Sequence, residues 1–483
     1  MITTPPREIL IVGAGVFGLS TALTLLSRPS YSTSHITVLD SAETLPNPHG
    51  SSVDSSRIIR ADYAHKSYAK LASRAQERWR DTSDAAWGGG DRYHETGFVL
   101  TGNPGMKHYV ESSMRNVLDL AAQGLPIDAS KVEALPDKDA IRHATRHPGV
   151  SGETGYANWN SGWADADKCI AHALELLKQP QNASRVTLRT NTCVSRLKYD
   201  PETHQCTGVT LSSSETLHAD LTILATGAWT PTLVPLHNRA LATGQVLGYL
   251  RLTPEEQTYL AHTPVTMNMS TGLFLIPPRD QELKIARHGF GYRSFTHDNP
   301  TTSVPNTSST IPAEAEHALR EALAAFFPAT LPPDFRGPSS LTTLAQRPFT
   351  KTRICWYTDT PKGNFLINYP PLPLPLPQSH TSTKEAEKPA TTNQNPNQSL
   401  FLATGGSGHA FKFLPVLGEY IAAGIDGTLE DEYRDLWSWA DESRLPANFE
   451  ACEDGSRGGR RNMILEDELR STVGSGERIH GFT

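Results

Sequence analysis

The sequence predicts a mixed fold, α/β plus α, in which a Rossmann-like domain is interleaved with a second domain containing a mixed sheet. The first observation is an apolar run at 8–12 that leads through a glycine-rich turn into a helix and a second apolar run. The second is that buried-strand patterns return after long intervals, at 221–224 and at 400–405. The third is length, because 483 residues exceed what one hydrophobic core supports.

The glycine-rich turn predicts a dinucleotide site. In a G-x-G-x-x-G turn the first glycine makes the tight bend, the second lets the backbone approach a pyrophosphate, and the third lets helix pack on strand. The helix predicted at 17–27 then directs free N–H groups at the phosphates. An acid after the second strand, 36–39, can accept from a ribose hydroxyl, which favours NAD or FAD over NADP. The cofactor-contact residues predicted here are Gly13, Gly15, Val16, Phe17, Gly18 and Asp40.

Composition and charge exclude several classes of protein. A formal net charge of −7 argues against a nucleic acid or an anionic membrane as partner. No run of about eighteen apolar residues is present to span a bilayer. The first strand begins too early to leave room for a signal peptide, and five unevenly spaced cysteines do not form a disulfide framework. We therefore expect a cytoplasmic protein with no nucleic-acid or membrane partner and no metal.

Helices and strands follow from the periodicity of apolar residues along the chain. Helices are expected at 63–79, 107–122, 166–177 behind a capping Asp165, and from Pro415 onwards. Further strands are expected at 97–100, 186–188 and 192–197, and around Val209 and Leu217.

The return of buried strands after an intervening block predicts two interleaved domains. The nucleotide-binding domain is expected at 1–95, 155–232 and 361–447, and the substrate domain at 96–154 and 233–360. The Pro-rich segment 371–399 is expected to be a flexible solvated loop. The polar, glycine-bearing residues 448–483 are expected to be a C-terminal surface extension.

Four motifs follow the glycine turn in a fixed order: SSRIIRADY at 55–63, GAW at 227–229, CWYT at 355–358 and GSGHAFKF at 406–413. Together they resemble the monomeric sarcosine oxidase and amadoriase family of FAD-dependent amine oxidases, over residues 7–430. The resemblance implies a monomer of D-amino-acid-oxidase-like fold, with a glutathione-reductase-type FAD domain whose bound flavin ring meets the substrate domain. It implies further cofactor contacts at Ser56, Arg57, Val194, Gly227, Trp229, Gly406, Gly408, His409, Phe411 and Lys412.

Cys355 occupies the position at which that family attaches the flavin 8α-methyl group to a cysteine. A thiolate can add to the electron-poor ring, and neighbouring positive charge favours the thiolate. The resemblance therefore implies FAD bound as an 8α-S-cysteinyl adduct at Cys355. The other cysteines are expected to be structural: Cys169, Cys193, Cys206 and Cys452.

Two basic residues are implied to bind the substrate carboxylate, Arg60 and Lys412. A guanidinium can hold a carboxylate through two parallel hydrogen bonds, and an ammonium adds charge. The alternative for Arg60 is a local ion pair with Asp62. Arg57 is expected near the flavin ring, as one of the catalytic residues.

Lys284 matches the lysine with which the family activates O₂, because a fixed cation stabilises the superoxide formed from reduced flavin. His288 matches an active-site histidine of sarcosine oxidases. Deglycating amadoriases carry a glutamate at that position and a lysine in place of Arg57. Both departures disfavour a fructosyl-amino-acid oxidase.

The resemblance implies oxidation of a secondary amine, such as an N-methyl or N-alkyl amino acid, to an imine or iminium, with O₂ reduced to H₂O₂. The fungal branch also includes an oxidase of fumisoquin-type isoquinoline alkaloid biosynthesis, in which a phenol captures the iminium and forms a C–C bond. A catabolic saccharopine, pipecolate or sarcosine oxidase and a fructosyl amino acid oxidase are the alternatives. An NAD-dependent dehydrogenase or a non-catalytic flavoprotein remain as other classes.

Overall fold

The computed structural model describes residues 5–296, 302–371, 398–440, 445, 449, 451–452 and 455–476. Most of the predicted Pro-rich loop, 372–397, lies outside these residues. Within the described ranges, no helix combines the length and apolarity that crossing a membrane requires.

The described residues form twenty-two strands and eleven α-helices. The strands are β1 (Glu8–Val12), β2 (His35–Leu39), β3 (Arg57–Ile59), β4 (Tyr93–His94), β5 (Phe98–Gly102), β6 (Val132–Leu135), β7 (Thr154–Asn158), β8 (Gly162–Ala164), β9 (Val186–Arg189), β10 (Val194–Tyr199), β11 (Cys206–Leu211), β12 (Thr216–His218), β13 (Leu221–Leu224), β14 (Leu241–Arg251), β15 (Val265–Asn268), β16 (Leu273–Arg279), β17 (Glu282–Arg287), β18 (Tyr292–Arg293), β19 (Lys351–Asp359), β20 (Leu366–Asn368), β21 (Leu400–Thr404) and β22 (Met463–Ile464). The helices are α1 (Val16–Ser27), α2 (Lys66–Arg80), α3 (Lys107–Ala122), α4 (Lys138–Thr145), α5 (Ala166–Leu177), α6 (Thr230–Leu233), α7 (Pro254–Leu260), α8 (Ala313–Phe326), α9 (Leu417–Asp426), α10 (Asp431–Leu436) and α11 (Leu465–Gly476).

A six-stranded sheet, in the order β20-β21-β13-β1-β2-β9, forms the centre of the nucleotide-binding region. Its strands are parallel except β20, which pairs antiparallel with β21. Val12 at the end of β1 lies beside Leu39 of β2 and Leu224 of β13. After β1 the chain forms β2 on one side of β1, and it later returns to form β13 on the other side. This change of direction leaves a crevice at the carboxyl ends of these strands.

The continuous apolar run of β1 is explained by burial on both faces of this sheet. Ile9 and Ile11 join the core formed with α1, α5 and α9, whereas Leu10 and Val12 join a second core. That second core includes residues of the three-stranded sheet β10-β11-β12. Successive residues of a strand point to opposite faces, so every residue of a strand covered on both sides must be apolar.

The second region is built on a ten-stranded mixed sheet, in the order β22-β18-β14-β17-β16-β15-β5-β7-β6, with β19 also paired to β14. β14 and β17 pair antiparallel, as do β14 and β19, whereas β15 and β5 are parallel. The strands of the two sheets come from alternating stretches of the chain. This arrangement confirms the predicted fold class, whereas the exact domain boundaries stay a prediction.

Three sequence predictions differ from the structure. The helix expected from Tyr63 begins at Lys66, and the helix expected from Pro415 begins at Leu417. Residues after 448 are not simply a surface extension, because Met463 and Leu465 join the core beneath the large sheet and β22 pairs with β18. The apolar run at 463–465 is only three residues long, which is too short for the sequence pattern to indicate this burial.

Candidate active site

The turn between β1 and α1 has the geometry that the three glycines predicted. Gly13 has a φ of +108°, and its N–H donates to the carbonyl of Leu39 at 2.8 Å. A Cβ on Gly13 would lie 2.4 Å from the carbonyl oxygen of Ala225, and one on Gly18 would lie 1.9 Å from the carbonyl oxygen of Gly13. Both positions therefore exclude any side chain, since the obstructing atoms belong to the backbone.

A cleft of about 910 Å³ opens beside this turn, at the carboxyl ends of β1, β2 and β13. The predicted residues that line it are Gly13, Gly15, Asp40, Val194, Gly227 and Trp229.

Three other predicted residues lie beside the cleft. The backbone N–H of Val16 donates to Oγ of Ser52 at 3.0 Å, and the ring of Phe17 packs edge-on against Phe365. Gly18 lies beneath the turn, in contact with the backbone there. Ser52 was not among the predicted residues, although it lines the cleft next to the first turn of α1.

A second pocket, of about 680 Å³, lies where β3, β14, β16, β17 and β19 meet the segment after β21. The segment 50–57 connects the two cavities, since its first residues line the cleft and Ser56 and Arg57 line the pocket. The predicted residues that line the pocket are Ser56, Arg57, Arg60, Lys284, His288, Cys355, Gly408, His409, Phe411 and Lys412. Gly406 does not reach it, because it packs against the ring of Phe17.

A buried carboxylate that the sequence did not single out, Asp54, organises one end of the pocket. Its side chain is 1% exposed and pairs with both Arg57 and Lys284, whose Nζ lies 2.7 Å from Oδ2. The hydroxyl of Tyr249 donates to Oδ1 at 2.6 Å. We call these four residues the Asp54 cluster. Although burial opposes ionisation, Lys284 and Arg57 hold the pKa of Asp54 well below its usual range.

Lys284 is the one member of the Asp54 cluster that changes its protonation state near neutral pH. Its Nζ also donates to the carbonyl of Ser56 at 2.6 Å, and its side chain is 3% exposed. Burial lowers the pKa of Lys284 to about 8, because Asp54 offsets burial only in part and Arg57 adds repulsion. Lys284 is therefore mostly charged at pH 7 and mostly neutral at pH 9.

Cys355 lies on β19, opposite Gln245 of β14, and its side chain is buried in the pocket wall. Its Sγ is 3.6 Å from Nη2 of Arg57, which donates towards it.

Arg60 and Lys412 form a cationic site at the other end of the pocket. The guanidinium of Arg60 lies over the rings of Tyr63 and Phe98, and its Nη1 is buried with no hydrogen-bond partner among the described residues. Nζ of Lys412 donates to the hydroxyl of Tyr63 at 2.8 Å. Burial, together with repulsion from Arg60, lowers the pKa of Lys412 well below its usual value. An unsatisfied buried donor next to a second cation provides a site for an anion.

The alternative that Arg60 pairs locally with Asp62 does not account for this site. Asp62 accepts hydrogen bonds from Tyr156 at 2.8 Å, Asn158 at 3.0 Å and Ser161 at 2.7 Å. These three neutral donors satisfy the carboxylate, and burial nevertheless raises its pKa.

His288 follows β17 and lies beside an arginine from the C-terminal segment that sequence reasoning missed. Nη1 of Arg457 lies 2.5 Å from Nδ1 and 2.9 Å from Nε2 of His288. Burial, followed by repulsion from Arg457 and Arg60, lowers the pKa of His288 well below its usual value. His409 has a different role, since its Nε2 lies 2.8 Å from the carbonyl of Gly363 and ties the segment after β21 to that loop.

Comparisons with known proteins show the family to which this chain belongs. Residues 8–423 match the family model described as DAO, FAD dependent oxidoreductase. The chain belongs to this family of FAD-dependent oxidoreductases. Amino acid oxidase imqH of Aspergillus flavus is 31% identical over 86% of this chain and 92% of its own length. L-saccharopine oxidase of Schizosaccharomyces pombe is 28% identical over 91% and 94%. The crystal structure of the fructosamine oxidase Amadoriase II from Aspergillus fumigatus superposes with a TM-score of 0.72 at 24% identity, over 95% of each chain, which shows the same fold.

FAD fits the residues of this oxidoreductase. Gly15 has no side chain at the start of α1, where a Cβ would approach Ser52 to 2.9 Å, and no acidic residue lies in the first turn of α1. These features suit an anionic pyrophosphate. The carboxylate of Asp40 is ordered by the N–H groups of Ala14 and Ala42, each at 2.9 Å, and lines the same cleft. The adjoining pocket supplies the thiol of Cys355 and four buried basic side chains, those of Arg60, Lys284, Arg287 and Lys412.

Apart from Gln245, Ala286, Arg287 and Tyr357, the remaining wall of the pocket consists of large apolar side chains. It is formed by Ile58, Leu247, Met267, Phe274 and Ile276. Four of these five lie within 233–350, the segment expected to provide the wall, although the sequence pattern could not identify them individually. The pocket therefore combines an anion site with an apolar surface, which suits an amphipathic small molecule.

Proposed function

We propose that this oxidoreductase is an amine oxidase for a secondary amine that carries a carboxylate, such as an N-methyl or N-alkyl amino acid. Its substrate would lose two electrons and two protons across a C–N bond to give an imine or iminium, and O₂ would take them up as H₂O₂. The observation that carries the proposal is the unpartnered Nη1 of Arg60 beside Lys412, in a pocket with an apolar wall. The names amino acid oxidase and L-saccharopine oxidase, carried by two relatives, support the same class of substrate.

Each polar side chain of the pocket has a distinct task in this proposal. Arg60 and Lys412 bind the carboxylate and so orient the carbon next to nitrogen. A neutral His288 contacts the amine end without repelling it. Lys284 provides a positive charge on the side where oxygen reacts, which stabilises developing negative charge on oxygen. FAD, when bound, accepts the equivalent of a hydride from the substrate and returns the electrons to O₂.

We further propose that FAD is held covalently through Sγ of Cys355. The support is its position in the pocket wall beside Arg57, whose guanidinium favours the thiolate that must react. Acid precipitation of purified protein should leave yellow colour in the pellet. Cys355→Ser should release the flavin into the supernatant, whereas Cys206→Ser, at a buried cysteine outside both cavities, should not. Release from both variants, or from neither, would contradict the attachment.

The finer proposal is a substrate with a phenol ring, whose iminium is captured by the ring to form a C–C bond, as in fumisoquin-type alkaloid biosynthesis. The apolar side chains of Met267 and Phe274 provide a surface for such a ring. Catabolic oxidation of saccharopine, pipecolate or sarcosine is the competing possibility. The histidine at position 288, where deglycating relatives carry glutamate, disfavours fructosyl amino acids.

A panel of amines tests these proposals on the purified holoprotein. N-methyl-meta-tyrosine, sarcosine, pipecolate, saccharopine and a fructosyl amino acid are mixed anaerobically with the enzyme, and loss of flavin absorbance is followed. We expect N-methyl-meta-tyrosine to reduce the flavin fastest. It should also yield a cyclised product by mass spectrometry and NMR, because its hydroxyl activates the ring carbon that the iminium can reach. Reduction by none of the amines would contradict the amine oxidase proposal. Faster reduction by pipecolate or saccharopine would contradict only the phenol-bearing substrate.

A further inference from the structure

The C-terminal segment is joined to the loop that carries His288. Gly458 forms a parallel bridge with Gly289, and its carbonyl accepts from the N–H of Phe290 at 3.3 Å. A Cβ on Gly458 would lie 2.4 Å from the carbonyl oxygen of Ser270, so the backbone approaches too closely for any other residue. Five residues later, at Met463, β22 begins and pairs with β18. The segment is therefore fixed against the substrate region on both sides of the loop.

The guanidinium of Arg457 projects from this segment into the interior, where each of its nitrogens has a partner. Nη2 donates to Oδ1 of Asp359 and to the carbonyl of Ser407, both at 2.8 Å. Nε lies 3.3 Å from Sγ of Cys452, and Nη1 contacts the ring nitrogens of His288. The side chains of Arg457 and Asp359 are both 0% exposed. A guanidinium bonded through all three nitrogens has one orientation only.

The contact between Nη1 and the imidazole restricts the protonation state of His288. An arginine can only donate, so at least one of the two ring nitrogens that Nη1 contacts must carry a lone pair. A protonated imidazolium has no lone pair and would repel the guanidinium. The other groups that the described residues place around His288 act in the same direction, because each is cationic or neutral. They are Arg60 beside β3, Tyr357 on β19, His409 and Lys412 after β21, and Lys284 and Arg287 on β17, of which Arg287 is paired with Glu314.

We propose that Arg457 is a positioning residue that holds His288 as a neutral imidazole in the substrate pocket, so that the C-terminal segment forms part of the active site. This proposal rests on the amine oxidase function, because a neutral His288 is useful where an amine must react through its lone pair. A neutral imidazole can hydrogen-bond to the free amine without repelling it. An imidazolium at the same place would repel a cationic substrate and could not accept a hydrogen bond from the amine.

The protonation state of His288 can be measured without any turnover. Holoprotein labelled with ¹³C at Cε1 of histidine is titrated by NMR between pH 5.5 and 8.5, and the His288 resonance is assigned from its loss in His288→Asn. We expect the His288 resonance of the wild type not to titrate in this range. In Arg457→Gln the resonance should titrate in this range, because the pKa of His288 rises by about one pH unit or more above its wild-type value. Arg460→Gln is the matched control, because Arg460 lies on the same segment with a 61% exposed side chain. It should behave as the wild type.

Two results would overturn the proposal. The first is a wild-type His288 resonance that titrates near its ordinary value, which requires no variant and so does not depend on whether Arg457→Gln folds. The second is a folded, yellow Arg457→Gln protein in which the chemical shift of the His288 resonance changes as little with pH as it does in the wild type. Neither result depends on amine oxidation, so failure of the substrate panel and failure of this proposal are distinguishable. With an amine that reduces the flavin, Arg457→Gln should also move the acid limb of the anaerobic reduction rate towards higher pH.

Discussion

The nucleotide cleft and the substrate pocket adjoin each other, yet the chain builds them in different ways. The glycine turn and Asp40, which form the heart of the cleft, lie within the first forty residues, and their geometry depends on the backbone. The pocket takes Arg60, Lys284, Cys355 and Lys412 from four distant parts of the chain, and its chemistry depends on buried side chains. The cleft should therefore be sensitive to backbone changes and the pocket to changes of charge.

The largest effect is expected from Gly13→Ala in the cleft. The added methyl would meet the carbonyl oxygen of Ala225 at 2.4 Å in a backbone conformation of positive φ, so the turn must move. We expect a loss of roughly 3 kcal/mol or more in the free energy of unfolding, and protein that purifies without flavin. Gly124→Ala is the control, since Gly124 also has positive φ but nothing within 4 Å of the added atom. Equal stability and equal flavin content in the two variants would refute the backbone account of the cleft.

Arg60→Met should have the next largest effect, this time through charge. Truncating a buried partner of a bound carboxylate costs about 2–5 kcal/mol, so kcat/KM for the best amine should fall by about 10³. Most of the loss should be in substrate affinity, measured as the concentration dependence of anaerobic flavin reduction. Arg78→Met, at a 61% exposed side chain, should leave it unchanged. An unaltered affinity in Arg60→Met would remove Arg60 from the carboxylate site.

Lys284→Met separates the two halves of the reaction within the pocket. Removing one preorganised charge next to the reacting oxygen should slow reoxidation by O₂ about 10²-fold. Anaerobic reduction by the amine should change far less, as stopped-flow absorbance would record. Lys107→Met, at a 64% exposed side chain, provides the matched control. Equal slowing of both half-reactions would contradict the assignment of Lys284 to oxygen.

The smallest effect is a pH dependence that follows from the same lysine. Since the pKa of Lys284 is lowered to about 8, its charge is present below this pH and is lost above it. The rate of reoxidation should therefore fall about tenfold between pH 7 and pH 9, while the wild-type fold persists. Lys284→Met should show a flat profile over the same range. A wild-type rate that rises with pH would contradict a role for the protonated lysine.

The parts of the molecule that sequence could predict are those that local patterns specify. The turn from β1 to α1 and the helix capped by Asp165 appear at the expected places, because strand burial, glycine spacing and capping act over a few residues. Asp54 had a weak local signal, as an acid three residues before Arg57 on the same segment. Arg457 had no local signal in the sequence, because its partner His288 lies 169 residues away and only the folded chain brings the two residues together.

The order of strands in the six-stranded sheet has a consequence for how the protein folds during its synthesis. Leu400 of β21 pairs with Thr222 of β13, and β1 between the flanking strands begins at Glu8. A ribosome must therefore release about four hundred residues before the edge of β13 is covered, and such long-range pairing is slow. Until then, an unpaired hydrophobic strand edge is open to chaperones or to other nascent chains. The six-stranded sheet beside the cleft is therefore complete only after β21, at Leu400–Thr404, has been synthesised.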